Sequence, residues 1–253
     1  MGNAKNQYIK TLYVAALSLV LFVGLWIFLI IDPVIASGAN PQTLGKHVGS
    51  WWDEDSYFEY LTAAFAFLAA CAWVWAIRRA RAMHILVQRR DFIFPAIFVL
   101  LMVLLAGEEI SWGQRIIGVA TPSLMEEINT QNEITLHNIK SPINIMIMLY
   151  LGTITWGGIF PFLRQLSRPA RQLFWVTKIP IPPIYCTTLF FVAPLFRIAF
   201  IGDYGNYARE GMEVIISAAF LVAALSVALE PDKGWWRSAG EVGRDPASGE
   251  AVR

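Results

Sequence analysis

Six apolar stretches of roughly bilayer-crossing length, residues 11–31, 57–77, 92–112, 142–163, 184–201 and 212–229, constrain this chain more than any other feature of it. A hydrocarbon core about 30 Å thick takes ~20 apolar residues per helix, and inside it each backbone donor and acceptor must be satisfied within the protein. Composition agrees: only 15% of the residues are charged and 56% are hydrophobic, whereas charged residues approach about a quarter of a soluble domain. The expected fold is all-α, an integral membrane bundle of six transmembrane helices, with short surface helices between the third and fourth. One transmembrane domain, 1–230, precedes a tail, 231–253, whose prolines, glycines and mixed charges predict disorder. The first stretch has a basic start and a small-residue end like a secretory signal. It is longer than the ~7–15 residues of a signal core, so an uncleaved helix is expected.

Charge orients the bundle. Fifteen of the twenty basic residues fall on one set of connections, including Arg78, Arg79, Arg81, Arg89, Arg90, Arg164, Arg168, Arg171 and Lys178, while thirteen of the nineteen acids fall on the other set and its adjoining helix ends. The positive-inside rule makes the basic face cytoplasmic and, with six spans, places both termini there. The expected location is a bacterial inner membrane, with the lipid bilayer as first partner and a membrane-protein partner or oligomer as a second. No basic stripe is interleaved with aromatics, so nucleic-acid binding is not expected. Cys71 and Cys186 both fall within spans, which gives no disulfide framework.

The connections on the acidic face are the long ones. Trp51 and Trp52 read as an interfacial pair. Ser123 to Glu126 and Thr130 to Glu133 both match the S/T-x-x-E capping box, predicting two short surface helices. Phe58-Glu59 before Ala63-Ala64-Phe65 echoes Met212-Glu213 before Ala218-Ala219-Phe220, which would set the second and sixth helices running the same way with an acid at each outer end.

Several charges sit where lipid is expected. The uncharged part of the third stretch, 92–106, is too short to cross alone, so Glu108 and Glu109 are drawn into the span, Glu108 about 24 Å along the helix from Phe92. Glu59, Arg197 and Glu213 stand at comparable depth from the same face. Ionisable groups in a span cost ~2.5–3.5 kcal/mol each and normally face the bundle interior and pair. The candidate catalytic residues are Glu108, Glu109 and His137, and the candidate pocket residues are Glu59, Gln114, Arg115, Asn138, Arg197 and Glu213. A divalent metal ion held by Glu108, Glu109, Glu133 and His137 would relieve carboxylate repulsion and activate water. A buried glutamate acting as general base would do similar work without metal. An intramembrane hydrolase of lipid or membrane peptide is the leading expectation. A non-catalytic accessory subunit, in which Arg197 neutralises the acids, and an ion- or proton-coupled carrier are the alternatives.

Gly107-Glu108-Glu109-Ile110-Ser111-Trp112-Gly113-Gln114-Arg115, with Asn132-Glu133-Ile134-Thr135-Leu136-His137-Asn138, resembles a signature of uncharacterised bacterial polytopic membrane proteins, a resemblance that implies a membrane location and no activity. It is similar in part to the CAAX-protease and bacteriocin-immunity group of intramembrane metalloproteases, which use Glu-Glu-x-x-x-Arg on one helix and His-bearing motifs on later ones. That similarity implies Glu108 or Glu109 activating water and His137 contributing to a metal site. Here five residues, not three, separate Glu109 from Arg115, and no second His follows in a later span.

Overall fold

The computed structural model describes Tyr13 and residues 57–86, 88–129, 133–136, 139, 145–199 and 205–229. The first predicted span, the Trp51-Trp52 pair and the tail lie outside the described residues. Helix α1, Tyr57–Ala82, turns through Met83–Leu86 and a short 3₁₀ segment, Arg89–Phe92, into α2, Ile93–Glu109. A 3₁₀ turn, Ser111–Gly113, leads to α3, Gln114–Ile117, and α4, Ser123–Ile128. Next come α5, Ile145–Ile154, a π-helical turn, Thr155–Ile159, α6, Phe160–Leu166, and α7, Arg168–Thr177. A 3₁₀ turn, Ile184–Cys186, opens α8, Thr187–Ala199, which carries Pro194 inside it, and α9, Gly205–Leu229, ends the described chain. The architecture is all-helical, as the apolar stretches predict.

Among the described residues three helical segments are long and apolar enough to cross a membrane, Phe58–Ala82, Arg89–Glu109 and Arg209–Leu229; Ile184–Leu195 is apolar but shorter. The fourth predicted stretch is helical from Ile145 to Leu166 but is interrupted by the π turn. The surface helices differ from expectation. Helix α4 begins at Ser123 with Pro122 in the N-cap position and no side-chain cap, so the first capping box does not form. Glu133–Leu136 is a bend rather than a helix, and Asn129 pairs with Ile139 in an isolated antiparallel bridge. The second expected helix is therefore not formed over Glu133–Leu136, where the Glu133 carboxylate accepts from Ser111 Oγ at 2.8 Å; its expected start at Thr130 lies outside the described residues.

Helices α1 and α9 make the largest interface in the fold. Ala66, Ala69, Ala76 and Ala80 on α1 and Ala219, Ala223, Ala224 and Ala228 on α9 are all buried. Small residues let two helix backbones approach, which is what drives packing where lipid tails are as apolar as the side chains. The two helices run parallel, as the repeated acid-plus-alanine pattern predicts: Arg79, near the end of α1, donates through Nη1 to the Ala228 carbonyl at 2.7 Å, near the end of α9. Helix α2 returns antiparallel against α1. The bundle thus has a basic end, with Arg79 and Arg89, and an acidic end, with Glu59, Glu109 and Glu213.

Between the ends lies an aromatic core. Trp156 stacks on Phe220 at 5.1 Å and meets Phe190 edge-on at 5.5 Å, and Phe98 joins Trp156 at 4.7 Å and Trp73 at 5.6 Å. Trp156 also donates to the Pro180 carbonyl, which satisfies the one polar atom of a ring buried among hydrocarbons. The π turn carries Trp156 into this core, and the next residue must then be glycine: a Cβ on Gly157 would lie 2.3 Å from the Phe190 ring. A Cβ on Gly158 would come within 3.1 Å of Phe191, and one on Gly152 would meet nothing within 4 Å. Thermal unfolding in detergent should rank the three accordingly. Gly157→Ala should lose about 1–3 kcal/mol, Gly158→Ala less, and Gly152→Ala nothing; equal midpoints would contradict the packing.

Candidate functional site

Glu108 and Glu109 are neighbours in sequence and about 100° apart around α2, and they enter different environments. Glu108 faces the connection that follows. Its Oε1 accepts from Trp112 Nε1 at 2.8 Å and its Oε2 from the Leu136 amide at 2.6 Å. Ser111, Trp112 and Gly113 have φ of 48°, 54° and 76°, three left-handed residues in succession. For the two that are not glycine this costs roughly 1–3 kcal/mol each. The turn delivers Ser111 Oγ to Glu133 and the Trp112 indole to Glu108, with the indole ring laid over Gly107, where a Cβ would stand 2.7 Å from it.

The same connection is closed further by Gln114, buried, which donates from Nε2 to Thr121 Oγ1 at 2.6 Å and accepts from the Ile134 amide at 2.7 Å. Asn129, also buried, donates from Nδ2 to the Thr135 carbonyl at 2.8 Å. The residues of the sequence signature are therefore partners of one another. Glu108, Ser111 and Gln114 from the first half bond Leu136, Glu133 and Ile134 from the second, and together they fold a cap onto the end of α2.

Glu109 turns the other way, into the bundle. It lies within electrostatic reach of Glu213, Glu210 and Glu59, and of Arg209. Glu213 Oε1 accepts from Tyr150 Oη at 2.6 Å and stands 3.8 Å from Arg209 Nε; Arg209 Nη2 pairs with Glu210 Oε1 at 2.9 Å. Four helices supply this set: α1 gives Glu59, α2 Glu109, α5 Tyr150, and α9 Arg209, Glu210 and Glu213. Among the described residues it counts four carboxylates to one guanidinium. The Glu213 and Glu210 side chains keep 11% and 7% of their surface, while Arg209 keeps 36% and marks the outer edge.

Of the residues singled out from sequence, Glu59, Glu109 and Glu213 meet at one level, whereas Glu108, Gln114 and Glu133 belong to the cap. Arg115 lies in α3 and Arg197 in α8, with both side chains outside the described residues, as are His137 and Asn138 altogether. Glu133–Leu136 is not helical, and His137 lies outside the described residues. Among the described residues no group of three or more His, Cys, Asp and Glu is arranged to hold a metal ion.

Sequence reasoning missed Tyr150, Arg209 and Glu210. Arg209 and Glu213 are four apart, the spacing of a helical ion pair, and that signal was legible. A tyrosine in the run Ile147-Met148-Leu149 also needs a partner for its hydroxyl, which was a second one.

Comparison of the chain with protein families, curated proteins and solved structures finds no match. Its function is therefore argued from this geometry.

The cap has its own test. Glu108→Ala removes the acceptor of the Leu136 amide, so hydrogen exchange at Leu136 should accelerate about tenfold or more. Glu109→Ala should leave it unchanged. Equal exchange in both variants would mean that Glu108 does not hold the cap.

Proposed function

We propose that this chain is a six-span bacterial inner-membrane protein, its basic end cytoplasmic, whose acidic end carries an acid–base site acting on a lipid or membrane-embedded peptide as an intramembrane hydrolase. The observation that carries the reading is the meeting of Glu59, Glu109, Glu210 and Glu213 with Arg209 and Tyr150 from four helices. Carboxylates gathered in little space and low dielectric repel one another unless protons or a positive charge are shared among them, and a group so placed exchanges protons readily with a bound substrate. In this reading Glu109 takes a proton from water as its oxygen attacks a carbonyl carbon, and the Tyr150–Glu213 pair returns a proton to the leaving group. Glu108 and Glu133 are engaged in the cap, so the base falls to Glu109.

One feature favours this over a carrier. A carrier needs a polar path toward the basic end, but the aromatic core of Trp73, Phe98, Trp156, Phe190 and Phe220 begins about two turns below the acids, Phe220 being seven residues past Glu213 on α9.

The full-length protein reconstituted in phosphatidylethanolamine–phosphatidylglycerol vesicles with a model membrane-spanning peptide should release lysolipid, fatty acid or peptide fragments, read by mass spectrometry. Loss of a general base lowers such rates by about 10²–10⁴, and Glu109→Gln should do so without lowering protein level or melting temperature. A Glu109→Gln protein that is simply less stable, with no product from the wild type, would make the cluster structural.

A further inference from the structure

At the basic end, α6 and α7 meet in a corner at Ser167, whose Oγ accepts from the Ala170 amide and starts α7. The two arms of the corner are held together by the Phe160–Phe174 ring pair at 5.2 Å, with Phe174 buried. The rest of α7 faces outward and is divided along its length. Leu173 and Val176, three residues apart and so on one face, are 56% and 66% exposed, and beside them Arg168 and Gln172 are exposed polar residues. Helix α7 is short, strongly amphipathic and basic, the pattern of a helix lying in a membrane interface.

The charges of the corner are all of one sign. Arg171 donates through Nη1 to the Gln165 carbonyl at 2.9 Å, which holds its guanidinium back over α6 beside Arg164. Lys178, left-handed at φ 55°, closes α7 and places Nζ 4.9 Å from the Trp175 ring, at the same end. Burial, and after it the nearby Arg171, hold Arg164 below the usual guanidinium range. The sequence contains no acidic residue from 134 to 202. Paired guanidinium groups match the oxygens of a phosphate, and Lys178 adds positive charge at the other end of α7.

We propose that the α6–α7 corner binds the phosphate headgroup of anionic phospholipids in the leaflet at the basic end, through Arg164 and Arg171 with Lys178 adding attraction at the other end of α7, while Leu173 and Val176 enter the acyl region. A lipid fits better than a soluble anion because the apolar face of α7 continues into the exposed Phe162 and Leu163 of α6, a surface that a free phosphate would leave bare. Trp175, 39% exposed with a cation over its ring, suits the headgroup level. The inference is independent of the acid cluster at the other end.

Native mass spectrometry of the detergent-solubilised full chain, titrated separately with dioleoyl phosphatidylglycerol and dioleoyl phosphatidylcholine, tests it. The wild type should retain phosphatidylglycerol about tenfold more tightly, and Arg164→Gln with Arg171→Gln should remove most of that preference, as expected for basic groups near an anionic surface. Lys178→Gln, at a helix end where folding is least at risk, should weaken it by about threefold. Equal retention of the two lipids by the wild type would overturn the proposal, as would displacement of phosphatidylglycerol by millimolar inorganic phosphate.

Discussion

A carboxylate placed among hydrocarbon side chains must find a hydrogen-bond donor, a cation or a proton, and this structure answers that demand in two different ways at adjacent residues. Glu108 takes donors from the connection that follows it, an indole and a backbone amide. Glu109 takes none of these; it joins other acids and Arg209 inside the bundle. The consequence is a division of labour at the end of α2. One glutamate fastens the cap and the other faces the space from which chemistry is argued. The left-handed run at Ser111–Gly113 belongs to the first role, since its strain is offset by the bonds that it makes possible.

The placement of Glu109 depends in turn on the α1–α9 interface. Alanines on both helices let the backbones run close and parallel, with Arg79 tying their far ends, so Glu59 and Glu213 arrive at the same level. Helix α2 then brings Glu109 up from the basic end, and the π turn after α5 sets Trp156 in the aromatic core one and a half turns beyond Tyr150. Small side chains, a turn of altered pitch and stacked rings set the geometry; the ionisable groups exploit it.

Much of this could be read in the sequence, and the limits have physical causes. Apolar length identified the three long helices found among the described residues, and the shared level of Glu59, Glu109 and Glu213 agrees with their places near helix ends on the acidic face. Which way each glutamate points did not, because at the end of a helix a change of 100° separates bundle from cap, and only the pairing partners decide it. The paired stretches around Gly107–Gln114 and Glu133–Leu136 stood out as a signature but suggested ligands, whereas their bonds to one another describe a folded cap. The capping box at Ser123 failed because the helix begins one residue earlier than the pattern expects, with Pro122 in the N-cap position.

The central claim is that acids from separate helices share one site inside the acidic end of the bundle. Cysteines introduced by Glu109→Cys and Glu213→Cys, in a Cys71→Ser, Cys186→Ser background and in native membranes, test it with a short thiol crosslinker. Efficient joining of the pair within one chain is the expected result. If both cysteines react singly with the reagent and no crosslinked chain forms, the two helices do not bring these positions together and the shared site does not exist.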